Sequence, residues 1–112
     1  MTRHDDLTRL RHMLDHAVEA VEMATGRRRE DLETDRQFCL AMTRLVEIIG
    51  EAAARVSADG QRKWTGVPWA EIVGLRNRLI HGYDAVDLDI LWTIIQDDLP
   101  GLIAALRRVL LP

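Results

Sequence analysis

The stretch FCLAMTRLVEIIGEAAARV, residues 38–56, decides the fold class. Phe38, Met42, Leu45, Ile49, Ala52 and Val56 recur at spacings of three and four, which is the stripe of one face of an α-helix. Thr34, with Gln37 three residues on, reads as a capping box that opens this helix, and the helix is expected to stop near residues 59–60. On its N-terminal side a second stripe runs through Leu7, Leu10, Leu14, Ala17, Val18, Val21 and Ala24, with Gly26 placed to close it. On its C-terminal side the polar stretch GQRKWTG, 60–66, is followed by Pro68. A proline suits the first turn of a helix, where a missing N–H costs nothing. A third helix is therefore expected over 68–80, ended by Gly82. Asp87 can cap a fourth, whose stripe is Leu88, Leu91, Ile95, Leu99, Leu102, Leu106 and Val109. Pro100 interrupts it and predicts a kink or short break near residues 96–99. No segment alternates with period two over a useful length. The reading is all-α: an antiparallel four- to five-helix bundle forming one domain over residues 1–112.

Composition narrows the function classes. Apolar residues are 47% and charged residues 29% of 112, with a formal charge of -3, as in a globular protein. A protein that coats nucleic acid without sequence preference would be basic, so any contact with RNA or DNA must use a local basic site. The one cysteine, Cys39, excludes an internal disulfide, and the lack of a CxxC or Cys/His ligand set argues against structural zinc. No run approaches the roughly 18 apolar residues of a membrane span. The start, MTRHDDLTRLRHMLDH, is charged throughout and is no signal peptide. The cytoplasm is the expected compartment.

The chemistry-bearing residues crowd into GLRNRLIHGYDAVDLD, 74–89. On a helical wheel with Ile72 at zero, Leu75, Leu79, Trp69, Ile80 and Val73 span an apolar arc from about -60° to about 100°, and Arg76 falls inside it at about 40°. A guanidinium keeps its charge, and an unpaired buried charge is very costly. Arg76 must therefore meet a carboxylate, for which Glu47 and Glu51 are candidates, or open into a cleft. Ala70, Gly74, Asn77 and His81 share another face, where small residues let a backbone or ligand come close. Arg76 and His81 are about 140° apart on a straight helix, so either the helix unwinds before His81 or the site combines residues of two chains. A structural ion pair for Arg76 and a dipole contact for His81 are the plainer alternatives.

The string Arg76-Asn77-Arg78-Leu79-Ile80-His81-Gly82-Tyr83 resembles the R-x4-H-x-Y motif of HepT-like toxins in the HEPN superfamily. IIGEAA (48–53), VPWAEIVG (67–74) and DLDILWTIIQDDLPGLI (87–103) are similar to the same family, so the resemblance covers nearly the whole chain. It implies a HEPN-like bundle that dimerises and cleaves RNA without a metal or other cofactor. It also implies membership of a type VII-like toxin–antitoxin pair with an MNT-type minimal nucleotidyltransferase as antitoxin. Arg76 and His81 would be the catalytic pair, Asn77 and Arg78 supporting residues, and Tyr83 the tyrosine that the partner modifies with AMP. The residue types suit this chemistry. RNA supplies its own 2′-OH nucleophile, histidine can move a proton near neutral pH, and a guanidinium can hold developing phosphorane charge. The alternative is a non-catalytic helical module that binds a nucleotidyltransferase. A histidine phosphotransfer domain is a third reading, but it needs a mid-helix histidine.

Other features carry less. His12 and His16 are an i,i+4 pair with His4 before them, a spacing that can bind zinc, although surface histidines are the simpler reading. Arg27-Arg28-Arg29 and Arg107-Arg108 read as solvated ends or as a rim for RNA. Trp69 and Trp92 read as core, and Trp64 as a partly exposed loop anchor or a base-stacking ring.

Overall fold

The structure is a computed structural model that describes residues 3–80 and 85–111, with residues 3 and 4 described as backbone only. His81, Gly82 and Tyr83 lie outside the described residues. The helices are α1 (Arg3–Ala24), α2 (Asp31–Thr34), α3 (Arg36–Ala54), α4 (Ala58–Lys63), α5 (Trp69–Val73), α6 (Leu75–Leu79), α7 (Leu88–Thr93) and α8 (Leu99–Leu110), with a π-helical turn over Ile94–Asp98. The fold is all-α. Among the described residues the only β feature is an isolated antiparallel bridge between Ile80 and Val86.

Helix α1 packs against both α3 and α8, α5 and α6 pack against α3, and α6 also meets α7. One continuous core results, with Leu10, Met13, Met42, Ile49, Leu75, Leu91, Leu99 and Leu106 fully buried. The α1 stripe is wider than its sequence suggests. Met13 and Ala20 are buried, while Leu7, Leu14, Val18 and Val21 are half-buried, because two helices cover α1 rather than one. Gly26 closes α1 with φ of 78°, a left-handed conformation that glycine adopts without strain.

Three boundaries differ from expectation. Thr34 does not open α3. It ends the short α2, and Asp35 is the cap, accepting from the Phe38 N–H at 3.1 Å. An aspartate is as good a cap as threonine, and Arg27 holds it in place through a 2.9 Å contact. Helix α3 stops at Ala54, not near residue 60. Gly60 is instead buried inside α4, where an added Cβ would stand 2.8 Å from the Asp6 carboxylate. Buried Asp6 accepts from the Ser57 N–H at 2.9 Å and the Ser57 hydroxyl at 2.6 Å, which ties the start of α1 to α4.

The third difference bears on the site. The stretch 68–80 is two five-residue helices, not one, and Pro68 precedes α5 as its N-cap. Gly74 ends α5 with ψ of 1°, donating to the Ala70 carbonyl at 3.1 Å. Gly50 lets this pair lie close to α3, since a Cβ there would meet the Ile72 carbonyl at 3.2 Å.

The break expected from Pro100 is the π turn. Proline has no N–H for the Gln96 carbonyl and its ring would crowd that carbonyl in a regular helix. The backbone widens instead, and the Leu99 N–H reaches back five residues to Ile94.

Candidate active site on helix six

Leu75 and Leu79 are both fully buried and anchor α6 at i and i+4. Between them Arg76, Asn77 and Arg78 are all exposed. Arg76 is thus not within the apolar face, as the unbroken wheel placed it; its side chain is 66% exposed. The buried arc narrows to Ile72, Leu75 and Leu79, because two short helices at the edge of the bundle pack on one side only. Val73, at the far end of the expected arc, is also exposed.

Arg76 does meet a carboxylate of α3. Its Nε stands 3.7 Å from Oε2 of Glu47, whose side chain is 20% exposed. Glu51, the other candidate, pairs with Arg44 at 3.4 Å. At 3.7 Å this is an ion pair and not a hydrogen bond, which leaves the guanidinium able to offer its fork of donors to two oxygens of a phosphate. Arg78 turns toward the π turn, where its Nη1 donates to Oδ2 of Asp98 at 3.2 Å. Sequence alone assigns Asp98 no role, although Pro100 signals that the chain is irregular there.

Beyond α6 the chain is clamped on either side of residues 81–84. The Asp87 N–H donates to the Leu79 carbonyl at 2.8 Å, and the Ile80–Val86 bridge lies just inside it. The Asp87 side chain also caps α7, accepting from the Ile90 N–H at 3.0 Å. Of the expected residues, Arg76, Asn77 and Arg78 are exposed on α6 and Glu47 stands beside Arg76 as one of its two candidate partners; the structure adds Asp98. Ala70 and Asn77 are both exposed, but the break at Gly74 puts them on different helices and not on one continuous face.

The other candidates lose ground. His16 Nδ1 lies 2.6 Å from the His12 carbonyl, a contact within α1. Among the described residues no three His, Cys, Asp or Glu side chains are placed to hold a metal ion. Arg27 bridges Asp31 and Asp35 and lies 4.0 Å above the Phe38 ring. Arg29 holds Glu33 and Asp89. These two arginines serve the fold and are not a free basic rim. The Trp64 carbonyl accepts from Trp69 Nε1 at 2.9 Å, which makes Trp64 an anchor of its loop. A cavity of about 320 Å³ opens between α1 and α3, beside Arg9, His12, Glu51 and Arg55; the α6 residues do not line it.

An all-α bundle with an arginine motif on a short, clamped helix fits the HEPN-like nucleases that the sequence resembles. The family described as Ribonuclease HepT-like matches residues 13–109, and the chain belongs to it. It is 35% identical over 89% of its length to a provisionally named RNase of Methanocaldococcus jannaschii, covering 92% of that protein. A probable ribonuclease HepT of Thermococcus cleftensis is 36% identical over 80% of the chain and 84% of its own length. A provisionally named RNase of Caldanaerobacter subterraneus is 35% identical over 90% of both. No solved structure matches the chain significantly. Among the described residues no helix is long and apolar enough to cross a membrane.

Proposed function

We propose that the protein is a metal-independent endoribonuclease, the toxin of a toxin–antitoxin pair, with Arg76 and His81 as its catalytic pair at a homodimer cleft. The observation that carries this reading is the placement of Arg76. It is exposed on a helix whose two leucines are buried in the core, and among the described residues the carboxylate it meets is that of Glu47, 3.7 Å from its Nε. That is a guanidinium held ready for an anion rather than a buried structural ion pair.

In the reaction, the 2′-oxygen of RNA attacks the adjacent phosphorus and the P–O5′ bond breaks. A neutral His81 accepts the 2′-OH proton, and a protonated His81 gives one to the departing 5′-oxygen. Arg76 holds the phosphorane oxygens. The products are a 2′,3′-cyclic phosphate and a free 5′-hydroxyl. One chain has a single His81, so a two-fold dimer supplies both acid and base. The exposure of Ala70, Val73 and Asn77 supports such a contact, since it leaves apolar and small residues uncovered near the motif. The antitoxin partner is an MNT-type nucleotidyltransferase that adds AMP to Tyr83, a reading that rests on the sequence resemblance. The test is RNA cleavage by wild type, Arg76→Ala and His81→Ala in EDTA. Wild type should cleave and leave cyclic phosphate ends, while both variants stay folded and inactive. Loss of wild-type cleavage in EDTA would overturn the metal-independent mechanism.

A further inference from the structure

The ion pair between Arg78 and Asp98 joins the motif helix to the one irregular turn of the long C-terminal helix. That turn is a single π turn, and such turns often accompany functional sites. Its extra residue rotates the helix before it by about 100° relative to the helix after it. Pro100 enforces the widening, so the direction of Asp98 is built into the sequence and does not depend on the pair itself. The same C-terminal element holds the motif segment at a second place, through Asp87 and the Leu79 carbonyl. Asp87 and Asp98 are eleven residues apart, about 16 Å along a helix. Both braces meet α6 at its last two residues, Arg78 and Leu79, so they fix the C-terminal end of the motif helix against that element.

We propose that Asp98 is a positioning residue of the ribonuclease reaction, a role that rests on the function proposed above. It fixes Arg78, and through Arg78 it holds α6 so that Arg76 meets the scissile phosphate in one orientation. Arg78 is 41% exposed and Asp98 29%, so the pair adds little to stability in water. Its value is geometric. A shift of about 1 Å in a group that must meet a transition state can cost about 100-fold in rate. The pair also keeps Arg78 from swinging onto the RNA backbone away from the reacting phosphate.

The test uses full-length wild type, Asp98→Asn, Asp98→Glu and Arg78→Ala on a fluorescent single-stranded RNA containing every dinucleotide step, with His81→Ala as the inactive control. Asparagine keeps the shape and loses the charge, and circular dichroism melting checks that the fold persists. Asp98→Asn should lower kcat at least ~10-fold with KM within ~2-fold. Asp98→Glu should recover most of the loss, and Asp98→Asn added to Arg78→Ala should cost no more than Arg78→Ala alone. Wild-type kcat in Asp98→Asn, or additive losses in the double variant, would overturn the positioning role while leaving the nuclease intact. A wild type that cleaves no RNA, or cleaves no better than His81→Ala, would overturn the ribonuclease reading and this role with it.

Discussion

Arg76 of α6 and Glu47 of α3 face each other at 3.7 Å, with the arginine mostly in solvent and the glutamate mostly covered. The asymmetry is informative. The carboxylate is mostly covered by its surroundings, whereas most of the arginine side chain stays in water. Such a pair contributes at most about 1 kcal/mol to stability. Glu47→Gln should therefore leave the melting temperature almost unchanged. It should lower kcat several-fold by freeing Arg76, and it should tighten RNA binding by removing a negative charge beside the phosphate site. Steady-state kinetics and a filter-binding assay would check this; a large fall in stability with unchanged kcat would contradict it.

Close approach of α5 to α3 gives a second prediction. A Cβ at Gly50 would stand 3.2 Å from the Ile72 carbonyl, a backbone atom that cannot swing away. Gly50→Ala should push α5 and α6 outward. The cost should be about 1–3 kcal/mol, read by urea denaturation, with a larger fractional loss of cleavage than of stability. Wild-type activity in that variant would show that the Ile72 carbonyl yields without moving Arg76.

The fold was legible in the sequence because it rests on periodicity. Stripes such as Met42, Leu45 and Ile49, or Leu99, Leu102 and Leu106, are buried as read. The Gly26 close and the Asp87 cap also stand as read. What failed was phase across irregular backbone. The wheel for 68–80 assumed one helix; the break at Gly74 and the edge position of α5 and α6 brought Arg76 out of the apolar arc. The cap slipped from Thr34 to Asp35 because the choice depends on Arg27, which no local pattern reveals. Asp98 was invisible for the same reason, since its partner lies twenty residues away. The motif was legible as residue types and spacing, and Glu47 as one of two candidate partners of Arg76; the contact of Arg78 with Asp98 is a tertiary fact that no local pattern carries.

The cap at Asp35 gives a pH prediction. Its carboxyl is held below the usual carboxylate range, first by the Phe38 N–H and then by Arg27. Asp31 is lowered too, first by the Arg28 N–H and then by Arg27. A lowered folded-state pKa means stability that is present above the unfolded value and lost as pH falls through the folded one. The melting temperature should thus hold across neutral pH and drop below roughly pH 4. Asp35→Asn keeps a capping oxygen but not the charge. It should flatten that acid drop and lower the neutral melting temperature by a few degrees, as read by scanning calorimetry. An unchanged acid profile would assign the drop to other carboxylates.

Tyr83 carries the prediction about regulation. It stands two residues past His81 in sequence, at the tyrosine position of the R-x4-H-x-Y pattern that the chain resembles. An AMP group there would bring a phosphodiester charge and the bulk of an adenosine to the end of the motif. The charge would attract the exposed Arg76 or Arg78 guanidinium and repel the RNA backbone. The block would be covalent and would outlast release of the partner. Intact-mass spectrometry after co-expression with a neighbouring minimal nucleotidyltransferase tests it. Wild type should gain nucleotide-sized increments and lose RNA cleavage. Tyr83→Phe should gain none, cleave RNA with the partner present, and remain toxic. Equal mass gain in both proteins would place the modification on another side chain. Silencing of Tyr83→Phe without any mass gain would mean that the partner acts by binding alone.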